Sequence, residues 1–380
     1  MTRTILCSFI ITIIACSSLG APAKQVLNLP AQANYLTTDG TRIFALLENN
    51  QVLQIEKSSQ TKIGGLWSSS APIVYAHGRL HGIGLTGELQ VWQNKQLSSS
   101  QNAKLSLQAG VLPLPAGVIA VTQTGDLVRL EDNGQTWEIT ARAKLNALTD
   151  QQIGFADLEG DHDREVVALV GANTSRYQHG ILGDSIEATA VVALERHTLE
   201  VLWRYDLPAP YVFEDITLRT FQIGTREQLV TVRSSRNGGA ALAMLGLNAG
   251  QLELRAGADI GQANRWLNPI VGKTDIYAIH TPHIGGILVK YEPNKLGGSQ
   301  KLTDLSNHSI SSRILEPSLQ LSTGELVIPS QNHQIMKTIS CSNQCRVLQT
   351  HDLGAAYSSN LVLLGERKII ATANKKLHFW

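Results

Sequence analysis

The feature that most constrains this chain is a repeat. Residues 49–55 (Asn-Asn-Gln-Val-Leu-Gln-Ile) align with 86–92 (Thr-Gly-Glu-Leu-Gln-Val-Trp) and with 124–130 (Thr-Gly-Asp-Leu-Val-Arg-Leu), in steps of 37 and 38 residues. Nine residues before Val52, Leu89 and Leu127 stand Ile43, Leu80 and Val118, each opening a short apolar stretch. The unit is therefore strand, turn, strand. Alternating apolar residues around Gly, Asn and Thr pairs make β-hairpins rather than helices. No segment carries a helical period of useful length.

Repeats of about forty residues made of short strands predict a β-propeller, one four-stranded blade per repeat, with strands a to d running outward from the axis. The fold class is all-β, with a single domain over residues 24–380. Blades are expected at 31–65, 66–106, 107–147, 150–208, 212–258, 265–305 and 312–352. The remainder, 357–380, holds three strands and ends on a further copy of the motif, residues 374–380. The strand-like stretch Gln25-Val26-Leu27-Asn28-Leu29 supplies a fourth strand and would close the ring by pairing with this C-terminal blade, which also removes exposed sheet edges. The count is then eight blades, with seven as the alternative. Trp92, Trp137 and Trp203 fall on outer strands and are expected to pack between blades.

Residues 1–23 read as an export signal. Arg3 is followed by an apolar run from Ile5 to Ile14 and by the small residues Ala21-Pro22-Ala23. Cleavage there gives a mature chain starting at Lys24. The alternative is a lipoprotein signal over 1–15, with Ile13-Ile14-Ala15-Cys16 as a lipobox and Cys16 as the lipidated residue. No later stretch is long and apolar enough for a membrane helix. Export places the protein in the periplasm or cell envelope. Of the four cysteines only Cys341 and Cys345 then remain in the soluble part, across a polar turn, and a local disulfide is expected. The whole chain has 32 basic and 31 acidic side chains. Losing Arg3 leaves 31 of each, and such a neutral chain lacks the basic excess of a nucleic-acid binder.

Between Phe155 and Val167 acidic side chains fall at alternate positions: Asp157, Glu159, Asp161, Asp163 and Glu165. Oxygen ligands so spaced can converge on a hard cation. The segment resembles the Asp-rich loop of FG-GAP/VCBS repeats, the integrin-type propeller repeats. That resemblance implies one structural Ca2+ between strands a and b, with Asp157, Glu159 and Asp161 at the first three ligand positions, Asp163 at the next, and Glu165 before strand b. Glu159 stands in place of the family's shorter acid and His162 in place of its glycine. A fainter resemblance runs from Val191 to Trp203 (Ala193-Leu194-Glu195, Thr198, Trp203). It is similar to quinoprotein-like propellers of the outer-membrane assembly lipoprotein type. It implies a fold and no cofactor.

Other motifs lead nowhere. Gly82, Gly84 and Gly87 satisfy GxGxxG but sit in a hairpin with no helix to follow. His280 and His283 flank Pro282 and have no marked third ligand. Antiparallel strands put a–b and c–d turns on one face of the disc, and b–c turns and blade-to-blade links on the other. The acidic loop and the cysteine turn share the first face. The insertion from Gly171 to Ala188 and the link 208–213 share the second. Arg176, Tyr177, His179, Tyr211 and Phe213 there make a candidate partner-binding patch. The expected function is a non-catalytic interaction or scaffold module of a bacterial cell envelope, with an envelope protein as partner. The alternatives are a secreted propeller enzyme acting on a glycan or small molecule, and a lipid-anchored outer-membrane assembly factor.

Overall fold

The computed structural model describes residues 24–100, 103–145, 147, 152–172, 176, 188–262, 266–308, 316–342 and 344–380. Every regular element among them is a β-strand, and the strands form seven antiparallel sheets. Four-stranded meanders cover 33–63, 74–99, 111–143, 267–302 and 319–352. A further four-stranded sheet joins the three last strands of the chain to the first, Gln25–Asn28, which pairs antiparallel with Lys376–Phe379. The seventh sheet has nine strands. It is two meanders, 153–206 and 219–256, joined by the short strand Val212–Phe213, which pairs with Ala188 on one side and with Arg233 and Ser234 on the other.

The repeat motif owes its visibility to one backbone requirement. In each copy the turn between the two middle strands carries a residue with positive φ: Asn50 (64°), Gly87 (84°), Gly125 (76°) and Lys375 (63°). Its amide donates to the carbonyl three residues back, as in Asn50 to Leu47 and Gly125 to Thr122. Asn and Gly adopt this left-handed conformation at least cost. At Gly125 a β-carbon would also run into the backbone carbonyl of Ala147.

Middle strands are continuous apolar runs because both their faces are covered. Ile43–Leu47, Gly117–Val121 and Glu165–Gly171 are buried throughout, whereas the outer strand Gln96–Ser99 is exposed at every residue. The core is a series of apolar layers between successive sheets. Val91 and Leu105 meet Val118 and Trp137 in one layer, and Val167 and Val191 meet Phe213 and Leu245 in another. One such layer joins the first sheet to the last: Ile43, Ala45 and Ile55 pack with Ile369, Leu377 and Phe379. Trp137 is buried in its layer, Trp92 meets Phe44 edge-on at 5.7 Å, and Trp203 packs beside Leu207 and Phe213.

Candidate functional site

The acidic loop connects strand Ile153–Ala156 to strand Glu165–Gly171. Asp157 is 7% exposed and its carboxylate is already spoken for. Oδ1 accepts from the amides of Gly160 (2.7 Å) and Asp161 (3.1 Å), and Oδ2 accepts from that of His162 (3.1 Å). Glu165 Oε2 accepts from the Leu158 amide at 2.9 Å. Asp161 Oδ1 accepts from the Asp163 amide, and Asp163 pairs with Arg196 at 2.8 Å. Glu159 contributes its carbonyl to Arg226. Burial pushes the Glu165 carboxyl above its ordinary range, and the charges of Glu159 and Asp161 add to this. The five acidic residues thus shape the loop one by one. Among the described residues no three His, Cys, Asp or Glu side chains converge as a metal site.

On the same face, Cys341 and Cys345 are disulfide-bonded across the turn between Ile335–Ser340 and Arg346–Asp352. Of the residues expected on the other face, Tyr177 and His179 fall outside the described residues, as do Cys16 and the whole of 1–23. Arg176 Nη1 donates to the carbonyl of Leu207 (2.6 Å) and, more weakly, to that of Tyr211 (3.4 Å). It braces the link between the two meanders of the large sheet. Arg233 covers the Tyr211 ring at 4.1 Å and pairs with Asp259 at 2.7 Å. Phe213 is fully buried in an inter-sheet layer and offers no surface to a partner. Of the five patch residues, Arg176 and Tyr211 are brought together and Phe213 is turned into the core. His280 donates to or accepts from Tyr291 at 2.6 Å, while His283 stacks on Trp266 at 5.6 Å, so the two histidines serve different aromatic neighbours.

A cavity of about 350 Å3 opens between four successive innermost strands. Arg219 and Glu316 are its charged residues, with Gln320 beside them; Ile270, Val271, Leu319 and Leu361 form its apolar wall. No sequence motif marks these residues. Their only signal is the position of each on or next to the first strand of a repeat.

No protein-family model matches the chain, and no curated protein does. Solved structures do. BamB from Moraxella catarrhalis superposes at a TM-score of 0.61 with 14% identity, over 94% of this chain and 98% of that one. Saccharomyces cerevisiae Sqt1 gives 0.66 at 10% identity, over 93% and 97%. YCF48 bound to D1 peptide gives 0.51 at 9%, over 95% and 96%. The fold is a β-propeller. At such identities the likeness speaks for fold alone. The neighbours include a quinoprotein-like propeller in BamB, whereas the integrin-type repeat resemblance finds no family model behind it. In a propeller the first strand of each blade lines the axis, so the cavity beside Arg219 is axial.

Proposed function

We propose that the chain is an exported, non-catalytic propeller of eight blades that serves as a protein-interaction or scaffold module in a bacterial cell envelope. Splitting the nine-stranded sheet at Val212–Phe213 supports the blade count, and the pairing of Gln25–Asn28 with Lys376–Phe379 supports ring closure. The observation that carries the functional reading is the span of the fold. Nearly the whole chain is one propeller scaffold, superposing over 94% of its length on BamB. A peptide-bound propeller among the structural neighbours supports a surface role for the disc. The signal-like segment 1–23 supports export, with Lys24 as the mature start and a lipid-anchored Cys16 as the alternative. No helix of the described residues is long and apolar enough to cross a membrane.

The test is affinity capture of the natively expressed protein after mild cross-linking, with mass spectrometry of bait and prey. Stoichiometric envelope proteins are expected with the bait. A bait that starts at Lys24 and retains no reproducible partner sinks the reading. Arg176→Ala separates bracing from contact. Loss of a charged donor shared by two carbonyls should lower the unfolding free energy by about 1–3 kcal/mol in urea titration. An unchanged midpoint with lost capture would make Arg176 a contact residue instead.

Calcium has its own test at the loop of Asp157, Glu159, Asp161, Asp163 and Glu165. Because the amides of Gly160, Asp161 and His162 occupy Asp157, excess Ca2+ is expected to move the thermal midpoint by less than about 1 °C. An ion held at 100 times its Kd would add about 2.7 kcal/mol. A rise of several degrees, abolished by Asp157→Asn, would reinstate the metal.

A further inference from the structure

The axial cavity combines an under-used guanidinium with an aliphatic wall. Arg219 lies at the head of strand Arg219–Ile223, and its side chain is only 14% exposed. Its one hydrogen bond among the described residues runs from Nη1 to the Thr217 carbonyl at 3.1 Å. The nearest carboxylate, Glu316 Oε1, stands 3.7 Å from Nη2, beyond hydrogen-bonding distance. Glu316 is itself 49% exposed. A guanidinium has five donors in a planar fork, so most of this one is unspent. A half-exposed partner at that distance contributes little and is readily displaced.

Gln320 approaches from strand Leu319–Gln320. Its Nε2 donates to the Gly324 carbonyl at 2.9 Å, and its Oε1 packs against Gly272, out of reach of the cavity. Ile270, Val271, Leu319 and Leu361 supply the apolar side. At about 350 Å3 the space falls at the small end of ligand pockets, which run from about 300 to 1,000 Å3.

We propose that this cavity binds a carboxylate carried on a short aliphatic group, with Arg219 as the anion anchor. The carboxylate would take the free edge of the Arg219 fork in a bidentate pair, displacing Glu316. The aliphatic group would lie against Ile270, Leu319 and Leu361. Two sources share this chemistry: the C-terminal residue of a peptide chain, and a free branched-chain acid. The inference deepens the interaction reading above, since it names a feature of the partner.

The experiment measures binding of three probes to the full mature chain by calorimetry. They are a tetrapeptide ending in leucine with a free carboxylate, the same peptide amidated, and isovalerate. The free acid peptide is expected to bind at least tenfold more tightly than its amide. Arg219→Gln should weaken it tenfold or more, and Arg219→Lys should fall between, since a point charge cannot form the fork. Glu316→Gln guards against a misfolded Arg219 variant. It removes a half-exposed side chain and the internal competitor, so binding should tighten several-fold. Isovalerate binding as strongly as the peptide would assign the site to a free acid, and much weaker binding would assign it to a chain terminus. Equal binding of acid and amide, no gain in Glu316→Gln, or no saturable binding of any probe up to about 10 mM would each overturn the proposal. Envelope capture that succeeds equally with Arg219→Gln would leave the scaffold reading standing and remove only this site.

Discussion

Acidification from pH 7 to pH 4.5 is expected to lower the thermal midpoint by on the order of 10 °C, well before most carboxylates titrate. The cause is a set of neutral histidines held in the sheets. His81 is 1% exposed and His351 4%; neither nitrogen of His351 has a hydrogen-bond partner, and His81 has only a weak approach to the backbone of Ala76. Burial brings each of them down to about 4 from an ordinary value of 6.5. His280, against Tyr291, is also at about 4. Around His351 the rings of His378 and Trp380 stand at 5.6 and 4.6 Å; His378 and Lys24 depress it further, and Asp352 opposes them.

The sign follows from proton uptake. Above pH 6.5 these rings are neutral in both the folded and unfolded chain, and their contribution is complete. Between 6.5 and about 4 the unfolded chain takes up protons that the folded one refuses, so stability falls with pH through that window. A shift of this size amounts to on the order of 3 kcal/mol for each of the two fully buried rings. Differential scanning fluorimetry at fixed ionic strength reads it directly. His351→Phe keeps a flat ring on Trp380 and should flatten part of the slope. A midpoint that is level from pH 7 to 5 would mean that these rings have partners in solution.

Deleting residues 24–29 should cost a similar amount by a different route. Gln25–Asn28 is the fourth strand of the last sheet, in register from Gln25 with Phe379 to Asn28 with Lys376. Leu29 continues the ladder through its amide to Lys375, and Leu27 and Leu29 pack on the layer between first and last blades. Burying a leucine is worth roughly 1.5–3 kcal/mol, before the ladder itself is counted. The truncated chain should lose about 3–6 kcal/mol in urea unfolding. It should also self-associate, because Lys376–Phe379 becomes a bare edge. Size-exclusion chromatography reads the second effect. Unchanged unfolding and a monomeric profile would show that the ring does not depend on this strand.

Much of this architecture was legible because its grammar is local. Asn50, Gly87, Gly125 and Lys375 mark a turn that needs positive φ, and the apolar runs beside them are the middle strands. The expected strand from Gln25 and the Cys341–Cys345 bond are both present. What stayed hidden depends on residues far apart in sequence. Phe213 reads as an exposed aromatic in a proline-rich link, but it is one of two residues of a strand that only its neighbours Ala188 and Arg233 define. The spacing of Asp157 to Glu165 showed an acidic loop, but not that the Gly160 and Asp161 amides would donate to Asp157 and fold the loop around it. Arg219, Glu316 and Leu361 come from three blades and meet only because the first strands of those blades turn toward one axis. The buried histidines had a faint signal. His81 and His378 stand beside the buried apolar residues Leu80 and Ile83 and Leu377 and Phe379 of their strands, where a polar letter is out of place.

The two-residue strand Val212–Phe213 has a mechanical consequence. At other boundaries the backbone contacts are single hydrogen bonds, such as Trp67 to Asn50 and Leu361 to Glu316, and among the described residues no other strand is shared between two meanders. Here hydrogen bonds run across the boundary, from Ala188 through Phe213 to Arg233. The meanders 153–206 and 219–256 are thereby joined into one continuous sheet, which should resist twisting more than boundaries held by single hydrogen bonds.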